Sequence, residues 1–202
     1  MTTINIRNYI SSDEAGWVRC RLLSFLDSSY YDDIATSKET YKHPSLCLVA
    51  EVGDVIVGFI DIEYEKNVGD VCSLKGKLGG VIWNLGVLPE YRQQGIASML
   101  LANAKEQLHK FGITRIEVWT QDDDLSVKWY EKKGFALKQS YLNAYIQGTL
   151  NNSIIKKYVN IDNLGDVFGV RCFNFEAPIE RKSELEQFCY RLHEVRLYER
   201  CL

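Results

Sequence analysis

The chain has 202 residues, which suits one domain of ordinary size or a domain with a modest extension. Apolar residues make up 46% and charged residues 25%, so the chain can bury a core and does not have a disordered composition. A net charge of −3 lacks the basic excess of a general nucleic-acid binder, and no stretch reaches the ~18 apolar residues of a membrane span. The start, Met1 to Arg7, has no charged leader followed by an apolar run, so no secretory signal is expected. A cytoplasmic setting follows, with the six cysteines reduced and mostly buried. The three histidines are scattered without ligand spacing, which speaks against a metal site.

Thr3 to Tyr9 alternates apolar and polar residues and predicts a strand. Ser11 is the expected N-cap of a helix running to Leu26, with Glu14 three residues on. Residues 27–45 read as a loop with a short second helix. Leu46–Val52 and Val55–Ile62 are apolar runs joined by Gly53-Asp54, which reads as a hairpin. A glycine-containing loop leads to a strand at Gly80–Val87. A loop over Leu88–Gln94 then enters a helix from about Gly95 to Phe111, which Gly112 closes. Ile113–Thr120 alternates as a strand. Asp122–Lys133, acidic at its start and basic at its end, suits a helix dipole, and Phe135–Tyr145 is another strand. Beyond that point the pattern weakens. Strands are expected at Ile154–Ile161 and Val167–Phe173, a helix at Ser183–Leu192 and a closing strand at Glu194–Leu202. The element order predicts an α/β (α+β) fold, a mixed sheet covered by helices.

The segment from Asn84 to Leu101 carries the chemistry. It reads as strand, glycine-containing basic loop, helix N-terminus. Such a turn aims several backbone N–H groups at one point, where the helix dipole adds partial positive charge. Gly95 permits close approach, Ala97 keeps the first turn slim and Arg92 adds a cation, so the natural guest is a phosphate or pyrophosphate. No Gly-Lys-Ser/Thr follows, and G-x-G-x-x-G is absent, so neither common nucleotide loop applies.

Arg92-Gln93-Gln94-Gly95-Ile96-Ala97 resembles the Q/R-x-x-G-x-G/A signature of the GNAT superfamily of acyl-CoA N-acyltransferases, and Trp129-Tyr130-Glu131-Lys132-Lys133-Gly134-Phe135 is similar to that family's second motif. The resemblance covers about residues 3 to 146. It implies a GNAT-type mixed, mostly antiparallel sheet whose central parallel strands, here Val81–Val87 and Ile113–Thr120, splay apart. It also implies acetyl-CoA as co-substrate. The pantetheine arm would pair with backbone near Leu85 and Val87, and the pyrophosphate would sit on Arg92, Gln93, Gln94, Gly95, Ile96 and Ala97, with Ser98 beginning the helix. By the same resemblance the domain spans 1–146; residues 147–202, which the resemblance does not explain, are expected as a C-terminal extension that covers the acceptor cleft or builds a homodimer interface.

The family chemistry is attack of a neutral amine on the thioester. The amine must lose a proton, the oxyanion needs a donor and the thiolate benefits from a proton. By resemblance, Tyr130 protonates the thiolate; packing beside Trp129 is the plainer alternative. Two positions depart from the family. Asp123 stands where Asn is frequent, which puts its cofactor contact in question. Trp83-Asn84 stands where a carboxylate is frequent, leaving Asn84 to orient a water or the amine. Asp61 and Glu63 are alternative bases, though their strand positions read as solvent-facing. Tyr30, Tyr31 and Asp32, with Asp33 beside them, suit an amine cation on the acceptor side. The expected activity is acetyl transfer to a primary amine of a small molecule. A protein N-terminal or lysine acetyltransferase, and a non-catalytic acyl-CoA-binding module, are the alternatives.

Overall fold

A computed structural model describes residues 3–147 and 172–202. Eight strands form one sheet: β1 Asn5–Asn8, β2 Ser45–Val52, β3 Val55–Tyr64, β4 Gly79–Val87, β5 Arg115–Thr120, β6 Ala136–Gln147, β7 Cys172–Ala177 and β8 Arg191–Cys201. The helices are α1 Glu14–Phe25, α2 Ile96–Lys110, α3 Asp124–Lys132 and the short α4 Lys182–Leu185. The sheet order is β1-β2-β3-β4-β5-β8-β6-β7, and every neighbouring pair is antiparallel except β4 and β5. Among the described residues no helix is long and apolar enough to cross a membrane.

Strand β3 lies between the two main helices and is buried along most of its length. Phe59 turns to α1, its ring 5.2 Å from Trp17, while the adjacent Gly58 faces Ile96 and Leu100 of α2. Successive strand residues point to opposite faces, so α1 and α2 cover opposite sides of the sheet. That two-sided cover explains why β3 is an apolar run rather than an alternation. Helix α2 buries Ile96, Leu100, Ala104 and Leu108, one residue every fourth position, with Leu101 beside them. Each such aliphatic chain contributes about 1.5–3 kcal/mol by leaving water.

Two irregularities in β4 open the site. The first is a β-bulge: Asn84 pairs with Asp61 but Ile82 pairs with Ile62, so Trp83 is an extra residue on β4. A bulge bends its strand and re-aims the side chains around it. The second is a loss of pairing. The parallel ladder joins Gly79–Ile82 to Arg115–Val118 and stops there, although β4 continues to Val87 and β5 to Thr120. The two strands splay from that point.

Strand β8 lies between β5 and β6 and pairs with both. A cut after residue 146, the boundary read from the sequence, would remove the strand that joins β5 to β6. Several expectations are corrected. The first helix begins at Glu14 after a 3-10 turn at Ser11–Asp13, and Ser11 does not cap it; the Asp13 carboxylate instead accepts the Ile10 N–H at 2.9 Å. No second helix forms between residues 27 and 44, because polar side chains there bond to distant elements, as described below. The helix expected at Ser183–Leu192 is only Lys182–Leu185, and β8 starts at Arg191, earlier than expected. The strand expected at Ile154–Ile161 lies outside the described residues, as does all but the end of that at Val167–Phe173.

Candidate active site

The splay between β4 and β5 is the floor of a cleft of about 1060 Å³, walled by α1, the segment after it, the start of α2, α3 and the β6–β8 edge. At one end lies the turn into α2. Gln93 has φ +61° and Gly95 has φ +84°, the left-handed region that a glycine occupies without strain. No side chain caps the first turn of α2, and no acid stands in it. The N–H groups of Ile96, Ala97 and Ser98 therefore keep their hydrogen-bonding capacity at the positive end of the dipole, on the cleft wall. An anion such as a pyrophosphate fits this arrangement. Arg92 is not a free cation there. Its guanidinium forks onto Asp27 (2.6 and 2.8 Å) and donates to the carbonyls of Ser24 (2.9 Å) and Val87 (3.3 Å), tying the turn to the end of α1. Asp27 in turn is held below the usual carboxylate range by that pairing.

The middle of the cleft holds Tyr130 and Asn84. Tyr130 is 7% exposed, wedged against Trp129, Phe135 and Tyr198, with ring centroids 5.1, 5.2 and 6.4 Å away. Its hydroxyl has no hydrogen-bond partner among the described residues, and burial raises its pKa above the usual phenol value, keeping it protonated. Asn84, next to the bulge, is the hub of a polar cluster. Arg21 of α1 donates to its Oδ1 (3.1 Å), and its Nδ2 donates to Glu39 (3.0 Å) and to the Tyr41 hydroxyl (3.3 Å). Arg21 also binds the carboxylate of Asp33 (2.8 Å) and the Asp33 carbonyl (2.8 Å). Tyr30 lines the cleft, accepts the Gln121 N–H through its hydroxyl (2.8 Å), and has its pKa pushed up to about 12 by burial.

A family model described as the acetyltransferase (GNAT) family matches residues 13–135, well over half of the chain. The chain belongs to this family. It is an acyltransferase, and the splayed strands and the α2 turn are the family's architecture in this sequence. It is 30% identical over 127 residues to the acetyltransferase SG1711 of Sodalis glossinidius, covering 62% of this chain and 80% of that protein. Its fold is similar to that of a GNAT acetyltransferase from Streptococcus pneumoniae (TM-score 0.59, 15% identity, 99% of each chain). It is also similar to a GNAT acetyltransferase from Elizabethkingia anophelis with acetyl-CoA bound (TM-score 0.52, 14% identity, 98% of each chain).

Of the residues singled out from the sequence, Tyr130, Asn84, Leu85, Val87, Arg92, Gln93, Gly95, Ile96, Ala97, Ser98, Asp123 and Tyr30 all line the cleft of this acetyltransferase. Gln94 does not, and its amide donates to the Glu90 carbonyl (3.3 Å). Tyr31 and Asp32 are also outside the lining, engaged by Arg191, which lies 5.1 Å from the Tyr31 ring and 2.7 Å from the Asp32 carboxylate. Asp123 accepts both the N–H (3.0 Å) and the hydroxyl of Ser29, so it fastens the segment after α1 to the start of α3. Asp61 and Glu63 are buried, not solvent-facing as read from strand alternation. The segment after α1 folds over them: Lys38 lies 3.1 Å from Asp61, while Glu63 accepts the His43 N–H (2.7 Å) and the Trp83 indole (2.9 Å).

The sequence reading missed Arg21, Glu39 and Tyr41. Their signal is faint: Arg21 is one of several charges on an amphipathic helix, and Ser37-Lys38-Glu39-Thr40-Tyr41-Lys42 reads as a solvated run. All six cysteines are free, but only Cys20 and Cys72 are buried, with thiol pKa values pushed up to about 12 by burial. Among the described residues no cluster could hold a metal ion.

Proposed function

We propose that this acetyltransferase moves an acetyl group from acetyl-CoA to a primary amine of a small molecule by direct attack. The observation that carries the reading is the continuity of one cleft, from the uncapped turn of α2, past Tyr130, to the acidic cluster of Asp33 and Glu39. The backbone of Gln93 to Ser98 and the stretch at Leu85 and Val87, which pairs with β3 but not with β5, would hold the cofactor, which supplies an activated thioester. The Elizabethkingia neighbour, with acetyl-CoA bound, supports this. Tyr130, held neutral by burial, can give a proton to a departing thiolate, and Asn84 can orient the incoming nitrogen. Negative charge at the far end favours a cationic acceptor. The cleft lining includes residues of the 27–41 segment together with Tyr141, Asn143 and Val195, and this cover supports a small molecule over an extended chain. The six free thiols agree with a cytoplasmic setting.

The test is calorimetric titration with acetyl-CoA and with CoA, repeated on Gly95→Trp. A Cβ at Gly95 meets nothing within 4 Å, and the left-handed φ adds strain of about 1–2 kcal/mol. Binding to the unmodified protein and loss in the variant are expected. The protein is then assayed with polyamines, amino sugars, amino-acid methyl esters and short peptides, with Tyr130→Phe as a control for chemistry. Absence of binding overturns the reading, and peptides as the preferred acceptors overturn its small-molecule part.

A further inference from the structure

The carboxylates on the cleft wall are Asp27, Asp33, Glu39, Asp123 and Asp124, and four are committed. Asp27 is clasped by Arg92, and Asp33 is bound to Arg21 at 2.8 Å. Asp123 accepts two bonds from Ser29, and Asp124 pairs with Lys128 at 2.9 Å, one turn along α3 on its exposed side. Glu39 differs. Its Oε2 accepts one bond, from the Asn84 amide, and its nearest cation is Arg21 at 3.8 Å, beyond hydrogen-bonding distance. Its side chain keeps 40% of its exposure on the cleft wall, and its Oε1, 3.8 Å from Arg21, accepts no hydrogen bond among the described residues.

The position of Glu39 is fixed from both sides. The preceding residue, Lys38, is buried against Asp61, with its ammonium 4.9 to 5.2 Å from the rings of Tyr41, Trp17 and Tyr9. Asn84, on the bulged strand, holds the carboxylate itself. A base must be held by groups whose own positions are locked, and Lys38 and Asn84 meet that need. The strand position where the family frequently carries its own acid is thus occupied by an amide that presents an acid from a different segment.

We infer that Glu39 is the general base of the reaction, taking a proton from the acceptor's ammonium group beside Asn84 in the cleft. This rests on the reading given under Proposed function. The ammonium gives one proton to Glu39. The nitrogen lone pair then forms the N–C bond, the C–S bond breaks, and the sulfur takes a proton from the Tyr130 hydroxyl. The acylated nitrogen sheds its second proton, which restores Tyr130 through solvent, and Glu39 releases its own proton to water. The net products are the amide, free CoA thiol and one proton. Around Glu39 are Arg21 from α1 with its partner Asp33, Tyr41 of the same segment, and the preceding Lys38 paired with Asp61 of β3.

The experiment compares two nucleophiles with Glu39→Gln. One is the panel amine acetylated fastest by the unmodified enzyme, a cation at neutral pH; the other is hydroxylamine, already neutral there. General-base loss typically costs about 100-fold or more, so kcat/KM should fall about 100-fold with the cationic amine, and within about threefold with hydroxylamine. Acetyl-CoA affinity should be unchanged. Glu39→Ala provides a second arm, in which added formate should restore activity with the cationic amine. Equal losses with both nucleophiles, no loss with either, or no rescue by formate would overturn the assignment. An unmodified enzyme that binds acetyl-CoA yet acetylates no amine would overturn the proposed function itself, and Glu39's role with it.

Discussion

Replacing Lys38 by Met tests whether the buried Lys38–Asp61 pair holds the segment after α1 in place. Met keeps the length and apolar stem of Lys but leaves Asp61, which is 0% exposed, without its cation 3.1 Å away. In the native protein Lys38 is held above its usual pKa: burial works against its charge, and the Asp61 carboxylate outweighs burial. In the variant, Asp61 keeps only the Cys47 thiol as a polar neighbour and must be protonated to remain inside. Protonating a carboxyl of ordinary pKa at neutral pH costs about 4 kcal/mol, at about 1.4 kcal/mol per unit. Loss of the ammonium from its three rings adds about 0.5–1 kcal/mol. The sum agrees with the ~3–5 kcal/mol typical of a broken buried pair. For a chain of this size it corresponds to a melting point lower by about 8–16 °C.

The pH dependence of that deficit has a definite sign. With the folded-state pKa of Asp61 raised above its unfolded value, the folded variant binds one more proton than the unfolded chain. Its stability is highest below about pH 4 and falls by about 1.4 kcal/mol per unit as pH rises, until the folded pKa is reached. Urea titrations at several pH values, read against the unmodified protein, should therefore show a deficit that nearly closes near pH 4. Adding Asp61→Leu should restore most of the loss. A deficit under about 1 kcal/mol, or one independent of pH, would refute the reasoning.

Two more outcomes follow from the structure. Asp13 accepts bonds from both Arg7 terminal nitrogens (2.6 and 2.9 Å) and from the Ile10 N–H, and the Arg7 pairing depresses its pKa. Asp13→Asn should cost about 1.5–3 kcal/mol at neutral pH, and the loss should vanish as pH falls below the depressed folded value, as urea titrations would show. Gly86→Ala would bring a Cβ to 2.6 Å from the Phe59 ring and 3.0 Å from the Ser24 Cβ. Phe59 is boxed in by Trp17 and Phe25, so thermal melts should show a loss of about 1–3 kcal/mol from overpacking.

The local half of this enzyme could be read from its sequence. Gly53-Asp54 between apolar runs, the fourfold spacing of Ile96, Leu100, Ala104 and Leu108, and Gly95 before a helix are local signals, because hydrogen bonding and backbone conformation act over a few residues. They were enough to locate the α2 turn and Tyr130. The failures share one cause: contacts between residues far apart in sequence leave no periodic trace. Asp61 alternates like an outward strand residue, and only the return of Lys38 over it makes it interior. Arg92 reads as a phosphate cation until Asp27, 65 positions away, claims it. Residues 191–201 gave little sign that they would fill the gap between β5 and β6, because strand pairing is set by which edge is open once the rest has folded. Glu39 reads as one charge in a polar run, and Asn84, 45 positions away on the bulged strand, is what turns its carboxylate toward the cleft. The sequence by itself determined most of the elements through residue 146 and the glycine turn into α2; the tertiary structure alone decided which charges are spent on one another and which carboxylate on the cleft wall is left without a close cation.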